Sequence, residues 1–385
     1  MLFVFSTAIG QRSILGMHVP VHMYFIIIQI AKKETKIMMK KKIAILFGGY
    51  STEYNVSLQS ANSIIRNIND EIYEKVLIGI TREGNWFRYY GTTNNILNDT
   101  WYLNEDECVP VVISPNRNLG GIIELIGSTN KFTKIDAAFP VLHGKNGEDG
   151  TVQGLIELAG IPLIGCDTLS SALCMNKDIA HKLAKEAGIS IPEGIVISSM
   201  ENDKSLKKKT EHLNYPLFVK PLKAGSSFGI TKVNNRANLL EAVNLAFEHD
   251  DQVIIEENIN GFEVGCAILG NDELMVGEID EIELSHGFFD NIEKYSLESS
   301  KIHLPARIDK ETTARVKETA KLIYRTLGCK GFARVDMFLD DDKIIFNEVN
   351  TIPGFTSHSR YPNMMKGIGL SFSSILDKLI ELGVE

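Results

Sequence analysis

From Ile43 onward, apolar and polar positions fall into blocks that predict strands alternating with helices, an α/β architecture. Ile43-Ala-Ile-Leu-Phe47 is a continuous apolar run that stops at Gly48-Gly49, the pattern of a buried strand. A helix is expected from about Tyr54, because Leu58, Ala61, Ile65 and Ile68 recur at helical spacing. A second apolar strand, residues 135–142, runs into the turn His143-Gly-Lys-Asn-Gly-Glu-Asp-Gly150, and a helix over 151–159 follows. The polar stretch 81–133 reads as short hairpins added to a first domain. Residues 170–187 read as one helix closed by Gly188, and Ile191-Pro-Glu-Gly-Ile195 as a domain crossing. Residues 216–220 and 230–233 read as short strands joined by a glycine-rich loop.

The alternation is most informative near the C-terminus. In Gly331-Phe-Ala-Arg-Val-Asp-Met-Phe338 it puts Arg334 and Asp336 on one face of a strand. Asp340 to Asp342 mark a turn, and Lys343-Ile-Ile-Phe-Asn-Glu-Val-Asn350 returns with Glu348 and Asn350 on a common face. Pairing the two strands converges three oxygen ligands and a guanidinium. Hard oxygen donors at this density suit Mg²⁺, which fills its remaining positions with water and phosphate oxygens. The arginine suits charge developing on a reacting centre. The alternative is a solvated acidic hairpin. Against it, Glu348 and Asn350 lie in an otherwise apolar strand, where unpaired polar groups are costly.

Length and composition permit a large enzyme. The 385 residues divide into two or three domains, with 44% apolar and 23% charged residues as in soluble globular proteins. A formal charge of −9 argues against nucleic acid as a partner, since neutralising phosphates needs a basic face. The five cysteines are odd in number and lack paired spacing, which points to reduced thiols and a cytoplasmic location. Residues 19–31 are largely apolar, but the run is about half of what spans a bilayer, so no membrane partner is expected. With basic residues after that run and a plausible first strand at Ile43, the natural start is expected at Met38 or Met39. Residues 1–37 are then a mis-called extension.

Several loops carry candidate chemistry. Lys220-Pro-Leu-Lys-Ala-Gly-Ser-Ser-Phe-Gly229 has small residues that let backbone N–H groups approach phosphate, with Lys220 at the end of a strand. It lacks the Walker order and a following helix, and resembles instead the glycine-rich phosphate cover of protein kinases. An ordinary hairpin loop would look the same. Gly48-Gly49 lacks the full dinucleotide fingerprint. Glu53, at the start of a helix, either caps it or binds a substrate ammonium. His143 alone fits a turn as well as a site. Gly287-Phe-Phe-Asp-Asn-Ile-Glu-Lys-Tyr295 reads as a loop, and surface decoration accounts for its composition. Thr351-Ile-Pro-Gly-Phe-Thr-Ser-His-Ser-Arg360 turns at Pro353-Gly354 and leaves N–H groups and hydroxyls beside the hairpin.

Taken together, these motifs resemble the ATP-grasp D-alanine–D-alanine ligase family, and within it the D-alanine–D-serine ligases of vancomycin resistance. The likeness rests on Phe47-Gly-Gly-Tyr-Ser-Thr-Glu-Tyr-Asn-Val-Ser57, the turn 143–151, Ser171-Ala-Leu-Cys-Met-Asn-Lys177, the loop 220–229, Glu293-Lys-Tyr295, 331–336 and 347–359. It spans residue 41 to the C-terminus. The resemblance implies three domains: 38–176 binding substrate, 177–258 central, and 259–385 carrying the metal and catalytic site, with ATP between the last two. It implies phosphate contacts from Lys177 and Lys220, a place for Ser227 among the nucleotide-binding residues, and an adenine pocket at Glu256, Glu257 and Ile259. Glu263 would bind the ribose, and Phe288 and Lys294 complete the nucleotide set.

Asp336, Glu348 and Asn350 would hold two Mg²⁺ ions, with Mn²⁺ as a substitute. Glu53, Ser226 and Tyr295 would form a triad on the first D-alanine. Arg334 and the Gly354 N–H would stabilise the oxyanion. His143, Ser357 and Ser359 would contact substrate, with Asp280, Phe289 and Arg360 lining the second pocket. D-Alanine-specific members usually have an apolar residue where this chain has Arg360, and D-lactate ligases a histidine in the loop of Tyr295. Asn55 departs from the family's usual glutamate. The expected partners are D-alanine, D-serine and a second copy of the chain. A different ATP-grasp ligase, or a catalytically dead nucleotide-binding regulator, would not be expected to keep all of these residues.

Overall fold

The computed structural model describes residues 13–14, 17–18, 40–223, 225, 229–284 and 300–384. The expectation for residues 1–37 lies outside the described residues, apart from a small hairpin of β1 (Ser13–Ile14) and β2 (Met17–His18).

The first sheet has seven strands: β3 (Lys41–Gly48), β4 (Tyr73–Ile80), β5 (Trp86–Tyr89), β6 (Cys108–Ile113), β7 (Gly121–Ile126), β8 (Thr129–Lys134) and β9 (Ala137–Pro140). Their order is β8-β7-β6-β5-β4-β3-β9. β3 lies between β4 and β9, parallel to both, and its residues Ile43 to Phe47 are buried. Helix α1 (Tyr54–Asn67) buries Leu58, Ala61 and Ile65, three of its four predicted contacts. The stretch 81–133 forms antiparallel hairpins, as expected, and they join the first sheet. It carries α2 (Thr93–Leu97) and extends the sheet antiparallel from β4 through β8. β9 is shorter than predicted, because the Val141 carbonyl accepts from the Ser57 hydroxyl instead of continuing the ladder.

Helix α3 (Thr151–Leu158) follows the 143–150 turn. The single helix predicted over 170–187 is two, α4 (Thr168–Met175) and α5 (Lys177–Glu186). The break is Asn176, whose extended backbone ends α4 and whose side chain caps α5 by accepting from the Ile179 N–H at 3.1 Å. Lys177 thereby becomes the first residue of a helix.

The second sheet is antiparallel, ordered β10 (Gly194–Ile197), β13 (Val253–Glu257), β11 (Leu217–Pro221), β12 (Thr231–Val233). Its own core includes Ile197, Leu217, Val219, Val253 and Ile255, with residues from α6 (Asp203–Lys209) and α7 (Leu239–Phe247). The third sheet orders β17 (Ser300–His303), β16 (Asp280–Leu284), β14 (Phe262–Leu269), β18 (Phe332–Asp340) and β19 (Lys343–Asn350), with β15 (Met275–Val276) on β14. Helices α4, α5 and α8 (Lys310–Thr326) pack on this sheet, where Ala180, Ala184 and Val316 join Val335 and Phe346 in one cluster. The chain closes with α9 (Arg360–Gly367) and α10 (Phe372–Val384).

Candidate active site

The β18–β19 pairing sets the centre of the site. Asp336 is opposite Glu348 and Arg334 opposite Asn350, with a bulge after Asp336. Asp336 is 1% exposed. Arg334 donates to its carboxylate through Nε at 2.8 Å and Nη2 at 2.6 Å, and the Asn350 amide adds a bond at 2.9 Å. Burial alone would lower the Arg334 guanidinium, but Asp336 beside it holds it above its ordinary value. Lys177 Nζ is 3.5 Å from Glu348. Arg360 does not point to solvent. It is forked on Asp280 by two bonds of 2.8 Å, donates to Glu263 at 2.9 Å and approaches Asp336 at 3.5 Å.

Three cations (Lys177, Arg334, Arg360) thus face four carboxylates (Glu263, Asp280, Asp336, Glu348), leaving one formal negative charge. That balance, with oxygen donors on paired strands, fits a hard divalent cation that takes its other ligands from phosphate and water. Among the described residues no cluster of three His, Cys, Asp or Glu side chains has metal-holding geometry. The third candidate donor is the amide of Asn350.

The substrate-side residues gather at the carboxyl ends of β3 and β9, the two parallel neighbours whose following connections part company. Glu53 starts α1 but makes no side-chain capping bond. Its carboxylate lies instead between Gly144 and Gly225, where an added Cβ would come within 2.2 and 2.6 Å of Oε2. A side chain at either position would push the carboxylate aside, and the left-handed backbone of Gly144 (φ +71°) favours glycine in its own right. His143 is buried against the Ser60 hydroxyl at 3.2 Å and the Ile352 backbone, and burial pushes its ring down to about 4. Ser60 Oγ also accepts from the Phe355 N–H at 3.1 Å.

Glu148, to which the sequence assigned no role, accepts from the Gly144 and Ile352 N–H groups at 2.8 and 3.1 Å. Burial and the charge of Glu53 raise it to about 8. Turn 143–150 therefore fastens the segment after Asn350. In that segment Ser359 opens α9, and its hydroxyl accepts from the Thr356 N–H at 2.9 Å. Ser357 is exposed, and Gly354 lies beside Ser359.

On the nucleotide side, Lys220 is the last residue but one of β11 and donates to Glu256 at 2.7 Å. Burial raises the Glu256 carboxyl, yet Lys220 and His181 outweigh it and hold it well below the usual carboxylate range. Glu257 accepts from Asn214, and Ile259 is half-buried where the chain crosses from the second sheet to the third. The candidates Ser226, Ser227, Phe288, Phe289, Lys294 and Tyr295 lie outside the described residues. His181 escaped the sequence reading. Its spacing of one helical turn from Lys177 was the available signal.

Two family models cover most of the chain, D-ala D-ala ligase N-terminus over residues 42–166 and D-ala D-ala ligase C-terminus over 183–381. The chain belongs to the D-alanine–D-alanine ligase family. It is an ATP-dependent ligase with the ATP-grasp fold expected from its sequence. Vancomycin B-type resistance protein VanB of Enterococcus faecalis is 47% identical over 354 residues, 90% of the ligase and 100% of that protein. The D-alanine–D-alanine ligase of Caldicellulosiruptor bescii is 46% identical over 356 residues, 90% of the ligase and 96% of that protein. The crystal structure of VanG D-Ala:D-Ser ligase from Enterococcus faecalis matches with a TM-score of 0.83 at 60% identity, covering 89% of the ligase and 99% of that chain. Among the described residues no helix is long and apolar enough to cross a membrane.

Proposed function

We propose that the ligase joins D-alanine to D-serine through an acylphosphate, making D-alanyl-D-serine for peptidoglycan precursors in vancomycin resistance. The observation that carries this reading is Arg360, turned inward and forked on Asp280 directly after Ser359, the candidate anchor for the second substrate's carboxylate. D-Serine differs from D-alanine by one hydroxyl. A charged pair at that position offers the hydroxyl a charge-assisted bond that D-alanine cannot make. The 60% identity to a VanG D-Ala:D-Ser ligase supports the same choice. The alternative, D-alanine–D-alanine ligation in normal wall synthesis, has the Caldicellulosiruptor bescii relative behind it.

In this reading Glu53, cradled by Gly144 and Gly225, takes the ammonium of the first D-alanine, with Ser226 and Tyr295 joining it. The D-alanine carboxylate attacks the γ-phosphate of ATP and ADP leaves. The amine of the second substrate attacks the acyl carbon, and phosphate leaves. Lys177 and Lys220 offset the repulsion between carboxylate and polyanion. Arg334 and the Gly354 N–H take the oxyanion, and Ser357 and Ser359 hold the second carboxylate. Asp336, Glu348 and Asn350 would hold Mg²⁺, which when bound supplies charge neutralisation and orientation at the phosphates. A competition assay with ATP and both D-amino acids, its dipeptides separated by mass, tests the proposal. D-Alanyl-D-serine is expected to predominate. A product dominated by D-alanyl-D-alanine at equal concentrations would reject the D-serine assignment, and ADP release independent of D-alanine would reject both ligations.

A further inference from the structure

One buried titratable side chain outside the roles assigned above touches three parts of the site. His181 lies on α5 four residues after Lys177, so both project from one helix face. Its Nε2 is 2.8 Å from the carbonyl of Asn347, the residue before Glu348. Its Nδ1 is 3.2 Å from Glu256 Oε1, an oxygen with no hydrogen-bond partner of good geometry among the described residues. Lys220 holds the other oxygen of that carboxylate. Phe346 packs edge-on against the ring, with centroids 5.4 Å apart.

A carbonyl oxygen only accepts, so Nε2 carries a proton. In the neutral ring the Nδ1 lone pair would then face a carboxylate oxygen inside the protein. Only the doubly protonated ring presents a proton to both acceptors. Glu256 then lies between two cations, the imidazolium and the Lys220 ammonium. Were Lys220 alone to balance it, the two would form an exclusive buried ion pair, and the ammonium would have little charge to offer elsewhere.

We propose that His181, as an imidazolium, is a positioning residue for nucleotide binding. It shares the charge of Glu256, so that Lys220 remains available to phosphate, and it ties α5 and Lys177 to the strand that carries Glu348. The proposal rests on the nucleotide roles of Lys177, Lys220 and Glu256 given above.

His181→Gln keeps a neutral N–H donor but deletes the positive charge, and His181→Lys keeps the charge. ADP is titrated in the presence of Mg²⁺ by calorimetry, beside kinetics in ATP and in D-alanine. His181→Gln is expected to weaken ADP and raise KM for ATP about tenfold, with KM for D-alanine unchanged. His181→Lys should stay within about twofold of wild type, and on a Glu256→Gln background His181→Gln should cost about twofold or less. Equal losses on both backgrounds, equal defects in the lysine and glutamine variants, or equal weakening of ATP and D-alanine would each overturn the proposal. A wild type that binds ADP but makes no dipeptide would reject the ligase reading, and the ADP affinities would still judge His181. A wild type that binds no ADP would overturn both.

Discussion

Asp336 is surrounded by two guanidinium groups and an amide, so the hairpin has little charge to spare when a carboxylate or arginine is removed. Glu348→Gln exchanges a carboxylate for a neutral amide of the same shape. We expect the melting temperature to hold and dipeptide synthesis to fall nearly to background, because metal affinity drops while packing does not. Near-normal turnover at ordinary Mg²⁺ would reject the metal role. Arg360→Leu differs, since it leaves the buried Asp280 carboxylate without its guanidinium, a loss of about 3–5 kcal/mol in folding stability. The ratio of products does not depend on how much enzyme is folded, so it isolates specificity. That ratio should shift from D-serine toward D-alanine, and an unchanged ratio would show that Arg360 does not read the hydroxyl. Alternation along two strands was enough to place Arg334 with Asp336 and Glu348 with Asn350. The grip of Arg360 on Asp280 was not legible, because 80 residues and three strands separate the pair.

At the scale of elements, the 143–150 turn ties the first sheet to the segment after β19 through His143, Glu148 and Ser60. His143 makes that tie sensitive to acid. Its folded pKa is about 4 because burial outweighs its bond to the Ile352 backbone, whereas in the unfolded chain it is near the ordinary 6.5. Between those values the unfolded state binds a proton that the folded state refuses, so stability falls as pH drops. The loss from this group reaches about 3 kcal/mol once pH is below both values. Urea titrations from roughly pH 7 to 4.5 should show His143→Asn gaining on wild type as pH falls, while the raised carboxyl of Glu148 favours the folded state of both proteins in the same range. A constant difference between the two proteins would show that His143 does not carry this dependence. Periodicity located β3 and α1 well, because each buries one continuous apolar pattern. It missed the break at Asn176, since a cap between two helices keeps helical spacing on either side. It found the hairpins of 81–133 but not their order in the sheet, because exposed strands such as β8 carry few apolar residues to reveal it.

For the molecule as a whole, the three sheets are unequally joined. The first and third share one core, in which Phe139, Phe332, Phe355 and Tyr361 meet ring to ring, with centroids 5.5–6.5 Å apart. Truncating a buried ring at such a junction costs about 3–5 kcal/mol, so Phe332→Ala should lower both layers together rather than one alone. The second sheet has a separate apolar cluster. Its Lys220–Glu256 pair meets His181 of α5, and Gly225 packs on Glu53, so polar and close-packed contacts join it to the rest. Such contacts hold less firmly than a continuous apolar core, and cooperative units of this kind open at different free energies. Amide exchange should therefore be faster in β11 and β13 than in β3 and β18 without nucleotide. ADP with Mg²⁺, on the proposed binding between the second and third sheets, would stabilise whatever its site holds together. Protection of β11 and β13 should rise with ADP while that of β3 changes little. Uniform protection before nucleotide, or an equal gain in all strands after it, would show that the three sheets already form one cooperative unit.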